Sequence, residues 1–199
     1  GHYRGVWSPD EAVWLARAGR EFDNFRAAVR FGLDDGDADL AVRLVGPLYR
    51  ITYLHRYELA DWANDVLAVP GADTHPQVGH VHLVIARLAW AKGDLDTGEA
   101  AVERALRCAL DEDAWALATA IRAVILDLRG RLDEAAAVLT EALERPLSPA
   151  NRAYLAACLL WAGQSSTTAA DRLDPFAVIA DADALRVPFL RSFARSGAA

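Results

Sequence analysis

The sequence predicts an all-α fold, a right-handed stack of helical hairpins forming an α-solenoid. Three observations lead there. Apolar residues recur at spacings of three and four along almost the whole chain, and strand-like alternation is nearly absent. Short Gly, Pro, Asp and Ser clusters punctuate it at 33–39, 69–76, 92–94, 110–114, 129–131, 145–149 and 163–168. Finally, the stretch that follows Gly93 recurs after Gly130, an offset of 130 − 93 = 37.

The punctuations mark out roughly ten helices joined by loops of the length common in helical arrays. A leading helix is expected over 9–35. In "REFDNFRAAVRFG" (20–32), Phe22, Phe25 and Val29 share one helical face. That face is expected to pack on the helix that begins near Asp37, its charged neighbours facing water or pairing locally. Repeats are expected over 36–180. In the register set by the two glycines, Leu95 matches Leu132, Asp96 matches Asp133 and Gly98 matches Ala135. Val102 then matches Leu139, Ala105 matches Ala142, and Leu106 matches Leu143. Ala86, Ala123 and Ala156 each precede a glycine (Gly93, Gly130, Gly163) by seven residues, and Ala41 follows Gly36 as Gly98 follows Gly93. Small residues recur where helices approach closely, larger apolar ones where they interlock. Residues 53–67 are a poorer copy, with Tyr57 in the place of Leu95. A period near 34 built on helix–turn–helix units is the tetratricopeptide pattern, here degenerate. The tail is expected to close the array with a capping segment over 181–199, split near Pro188, in which Ala182, Leu185, Phe189, Leu190 and Phe193 are apolar and Arg186, Arg191 and Arg195 polar. An amphipathic partner-binding helix is the alternative for that tail.

The bulk numbers fit one soluble domain. A 199-residue chain that is 53% hydrophobic and 25% charged buries enough surface, about 70% of what it exposes unfolded, to need no disulfide or metal. The net charge is −7 and the basic residues are scattered, so direct contact with nucleic acid is not expected. Cys108 and Cys158 lie far apart without zinc spacing, which suits a reducing cytoplasm. No uncharged apolar run reaches the length of a membrane span, and no signal peptide is recognisable. The chain contains no methionine, and we expect it to be part of a longer protein.

Chemistry-bearing motifs are scarce. Asp35, Asp37 and Asp39 alternate as at the start of a calcium loop, but Leu40 and Gly46 stand where that loop needs glycine and glutamate. A polar turn with an Asp capping the next helix is the expected reading. His80 and His82 are two apart on a helix and diverge, and His75 precedes Pro76, so no zinc set forms. Phosphate-binding glycine loops and nucleophile motifs are absent. The sequence therefore names no catalytic residue, no cofactor and no metal. It does carry six tryptophans. Placing the tetratricopeptide pattern on the chain position by position puts Tyr49, Tyr53, Arg87, Trp90, Val124, Asp127, Tyr154 and Trp161 on first helices, which in such arrays line a concave groove. Tyr, Trp and Arg are favoured at recognition surfaces. The competing reading is that these aromatics fill space between poorly matched repeats.

One further pattern bears on function. The pair Trp14-Leu15 is followed by an acidic residue, then by Asp23-Asn24, one apolar residue and Arg26-Ala27-Ala28. An acidic-Gly-Asp loop and an apolar helix ending in Tyr49 and Tyr53 come next. Over about 50 residues (13–62) this resembles the start of the helical-repeat region in large bacterial signalling-ATPase transcriptional regulators. It departs in carrying Phe25 where leucine is common, and this chain carries no ATPase or DNA-binding motif. The resemblance implies a non-catalytic sensor or interaction segment that holds a protein, peptide or small-molecule effector, or another domain of the same polypeptide. A free-standing scaffold and a small-molecule module are the alternatives.

Overall fold

A computed structural model of the protein describes residues 7–54, 56–163 and 173–198, with the side chains of Tyr53 and Leu54 also outside the description. Among the described residues the chain is helical throughout and has no strand. The helices are α1 (Glu11–Arg20), α2 (Phe22–Asp34), α3 (Ala38–Val45), α4 (Glu58–Leu67), α5 (Val78–Ala91) and α6 (Leu95–Leu106), followed by α7 (Glu112–Leu128), α8 (Leu132–Leu143), α9 (Pro149–Gly163), α10 (Pro175–Ala184) and α11 (Pro188–Gly197). Two 3-10 segments, Gly46–Leu54 and Ala72–Thr74, flank α4. The contacts group the chain into two compact units, Leu15–Ala118 and Gly1–Trp14 with Thr119–Ala199.

The expected leading helix is two helices that meet at Glu21. The hydrogen-bond ladder continues across the junction, from Glu21 N–H to Arg17 O at 3.1 Å and from Phe25 N–H to Glu21 O at 3.0 Å. Glu21 itself takes φ −86° and ψ 5°, outside helical values, and starts a new segment.

The helices before Gly93 and Gly130 end in the same turn, hydrogen bond for hydrogen bond. At the end of α5, Gly93 adopts φ +82°, its N–H donates to Trp90 O at 2.9 Å, and the N–H of Asp94 donates to Ala89 O at 3.0 Å. At the end of α7, Gly130 adopts φ +74°, its N–H donates to Asp127 O at 2.8 Å, and the N–H of Arg131 donates to Leu126 O at 2.9 Å. These are paired Schellman turns, and the left-handed residue in each must be free of a Cβ to avoid strain. Each is followed by a helix of 12 residues, α6 and α8. In each of the matched pairs the two residues share one environment. Gly98 and Ala135, Val102 and Leu139, and Ala105 and Ala142 are buried; Leu95 and Leu132 and Leu106 and Leu143 are half-buried; Asp96 and Asp133 are exposed.

Within Leu15–Ala118, α5 and α6 form an antiparallel hairpin. Gly79, near the start of α5, faces Cys108 just past the end of α6, where an added Cβ would lie 2.6 Å from the Cys108 Cβ. The α3 helix and its 3-10 continuation run alongside α5 in the same direction, since Asp39 meets His75 while Gly46 and Tyr49 meet His80. Pro47 explains the change of helix type. It has no N–H for the carbonyl of Arg43, and the chain tightens into 3-10 geometry beyond Gly46. Asp37 and Asp94 cap α3 and α6, accepting from Leu40 N–H at 3.0 Å and Thr97 N–H at 3.1 Å, so Asp37 takes the capping role expected for the acidic loop.

Within the other unit, α9 packs on α8, α10 and α11. Tyr154 meets Phe189, and Trp161 meets Phe193 and Gly197, so α9 and α11 run parallel. The tail splits as expected, with Pro188 opening α11. Its buried residues are Leu190, Ala194 and Gly197, while Arg191 and Arg195 turn to Asp183 of α10 at 3.1 and 2.6 Å. The expected break at 163–168 lies almost wholly outside the described residues.

Candidate functional site

The groove candidates fall into two local settings. In Leu15–Ala118, Tyr49 is 3% exposed and its hydroxyl donates to Asp111 Oδ1 at 3.3 Å. Burial pushes this phenol well above its ordinary range. Arg87 is buried, with its guanidinium 4.7 Å from the Trp90 ring centroid. Trp90 is half-buried, and its Nε1 is buried with no hydrogen-bond partner. In the other unit Val124 and Asp127 are half-buried, and burial raises the carboxyl pKa of Asp127, whose Oδ1 has no partner. Tyr154 is 7% exposed and sits in an aromatic cluster, 4.4 Å from Trp7 edge-to-face and 5.8 Å from Phe193. Trp161 is 43% exposed and stacks on Phe193 at 6.0 Å. The Tyr53 side chain lies outside the described residues. Tyr49, Arg87 and Tyr154 thus present little surface to a partner, whereas Trp161 and, in part, Trp90 and Asp127 remain accessible.

Tyr49 belongs to a polar node that sequence spacing does not reveal. Arg50 reaches Asp113 at 2.9 Å and Asp111 at 3.5 Å, and its guanidinium lies 4.9 Å from the Tyr49 ring centroid. His80 Nε2 lies 3.3 Å from Asp111 Oδ2. Asp111 also caps α7, accepting from Ala114 N–H at 2.8 Å. Burial pushes the Asp111 carboxyl up, but the His80 hydrogen bond, the Ala114 N–H and the Arg50 charge outweigh it and hold its pKa at about 2. The partners lie 31 to 63 residues apart, too far for any local pattern to show.

A second feature lies between α2 and α4, an open cleft of about 650 Å³. Arg26 and Glu58 both line it, and the Arg26 Nε and Nη2 each lie 3.1 Å from Glu58, a forked contact. Trp62 also lines it and stacks on Phe22 at 5.4 Å with the planes 22° apart. The apolar face expected on α2 is real, with Phe22 and Val29 buried and Phe25 half-buried, but Phe22 stacks on Trp62 of α4, while Gly32 is the α2 residue that meets α3 at Leu40 and Leu44. Arg26 pairs with Asp23 locally, as expected, and also with Glu58, which was not foreseen. Val29 and Leu33 add apolar lining, and Arg30, Asp34 and Asp65 add charged lining.

His75 Nε2 lies 3.2 Å from Asp39, which Arg43 also approaches at 3.4 Å. His82 is half-buried, and burial lowers its pKa. Among the described residues no group of three or more His, Cys, Asp or Glu side chains stands ready to hold a metal. Cys108 and Cys158 are both free thiols, and burial pushes Cys158 up to about 12. No described helix is long and apolar enough to cross a membrane.

Comparison with protein-family models, with curated proteins and with solved structures finds no match for this chain.

Proposed function

We propose that this chain is a non-catalytic, tetratricopeptide-like α-solenoid, the sensor or interaction segment of a multidomain bacterial transcriptional or signalling regulator working in the cytoplasm. Its ligand would be a protein or peptide, or another domain of the same polypeptide, held on groove surfaces that present Trp90 in one unit and Asp127 and Trp161 in the other. Binding would shift the intact regulator between an autoinhibited and an open state. The observation that carries the reading is the repetition of one Schellman turn at Gly93 and Gly130, each followed by a 12-residue helix with the same burial pattern. Structure that repeats at this detail serves a surface built from units more readily than a single reactive centre. The Trp14 to Ala28 signature adds the resemblance to regulators.

The test is selection of binders from a random peptide library on the purified chain, followed by mapping with tryptophan indole resonances. Selected peptides should move the signals of Trp90 and Trp161. Peptides that bind without moving either one would remove the groove. Sequence on either side of the coding region supplies a separate check, since the regulator reading expects a nucleotide-binding ATPase upstream.

A further inference from the structure

The cleft between α2 and α4 goes beyond that reading, because none of the groove candidates lines it. Its volume of about 650 Å³ falls among small-ligand sites rather than packing defects. Its charges are of two kinds. Arg26 and Glu58 satisfy each other in the forked pair, which ties the two walls together. Among the described residues, the side chains of Arg30, Asp34 and Asp65 make no hydrogen bond or ion pair, although all three line the same cleft. Once the closed pair is set aside, one cation and two carboxylates remain, so a purely anionic ligand meets more repulsion than attraction. In the same lining Trp62 is oriented by its stack on Phe22, and Val29 and Leu33 add apolar surface. An apolar surface flanked by both signs of unpaired charge matches a ligand that itself carries an ammonium, a carboxylate and an apolar body.

We infer that the α2–α4 cleft binds a zwitterionic, peptide-like ligand. Its carboxylate would meet Arg30, its ammonium would meet Asp34 or Asp65, and its apolar side chain would lie on Trp62. Either a free apolar amino acid or a short peptide with open termini carries this chemistry.

The experiment titrates the whole chain with three probes: leucine, tri-leucine with free termini, and tri-leucine acetylated and amidated so that neither end is charged. The readout is the Trp62 indole resonance, assigned by Trp62→Phe. Free tri-leucine should shift that resonance with a Kd of about 1 mM or tighter, and the blocked peptide should bind about tenfold more weakly. Leucine binding as well as tri-leucine identifies a free amino acid, and tighter tri-leucine binding identifies a peptide; both support the site. Arg30→Gln and Asp65→Asn should each weaken binding about tenfold without lowering the melting temperature, since both side chains are exposed. Equal binding of blocked and free peptide, or no shift at Trp62 with any probe, overturns the inference. Loss of binding in Trp161→Ala with full binding in Arg30→Gln also overturns it, and assigns the ligand to the groove.

Discussion

Arg26 on α2 grips Glu58 on α4 with two nitrogens, each 3.1 Å from a different carboxylate oxygen. The residues are 32 apart in sequence, and their side chains remain 39% and 32% exposed. An exposed pair of this kind is worth little to global stability by itself. Its expected effect is local. Arg26→Gln and Glu58→Gln should each loosen the cleft, and the double variant should cost less than the sum, with the coupling fading as salt is raised. A thermal-melt cycle at low and high salt measures this, and strict additivity would show that the fork holds nothing.

The repeated turns predict a matched pair of costs. Gly93→Ala and Gly130→Ala meet no neighbouring atom within 4 Å, so the left-handed backbone alone decides. Each should lower stability by about 1–2 kcal/mol. Gly19→Ala, in helical α1 with equally open space, should instead raise it by about 0.5–1 kcal/mol. Arg186 holds φ +55° after α10, so Arg186→Gly should relieve about 1 kcal/mol of strain. Chemical denaturation of the four variants gives these signs, and a stabilising Gly93→Ala would contradict the turn assignment.

Close packing predicts the next outcome. Ala142 is 3% exposed at a matched position of α8, so Ala142→Leu should overpack and cost about 1–3 kcal/mol. Gly79→Ala should cost a similar amount, because its Cβ would lie 2.6 Å from Cys108 and 2.9 Å from Leu110. Cys108→Gly should restore part of the Gly79→Ala loss by removing the clashing carbon. An unchanged melting temperature in Ala142→Leu would mean that the repeat register is misplaced.

The Asp111 node predicts a pH dependence. Its folded pKa of about 2 lies below the ordinary aspartate value, so ionised Asp111 favours the folded state. That contribution is complete above about pH 4 and is lost as the pH falls toward 2. With half of its side chain in water, screening reduces the effect to on the order of 1 kcal/mol. Asp111→Asn keeps an oxygen to cap α7 but carries no charge. Its stability should therefore fall less between pH 4 and 2 than that of the parent, as followed by circular dichroism.

Glu11 predicts how α11 is held. Val187 offers no side-chain cap, and the Glu11 carboxylate accepts from Phe189 N–H in the first turn of α11. Glu11→Ala leaves that part-buried N–H without its acceptor and should cost about 1 kcal/mol, whereas Glu11→Gln retains an acceptor and should cost less. Hydrogen exchange at the Phe189 amide reports the difference directly, and equal exchange in both variants would refute the cap.

Much of this architecture was legible because it is written locally. Gly93 and Gly130 mark the breaks between helices, an Asp of the 33–39 loop caps the next helix, and Ala105 and Ala142 mark buried small positions, all by type and spacing. The same reasoning placed Pro188 at the start of the last helix. It went less far with Tyr49 and Tyr154. An aromatic at a groove register position and an aromatic wedged between helices have the same spacing, and only burial separates them.

The linear chain thus determined helix type and the places where helices turn, because these depend on residues within a few positions of one another. Tertiary structure alone decided that Glu58 would meet Arg26, that Asp111 would gather Tyr49, Arg50 and His80, and that Arg30 and Asp65 would share a cleft. Those pairings depend on how helices cross, which side-chain packing sets and residue spacing does not encode.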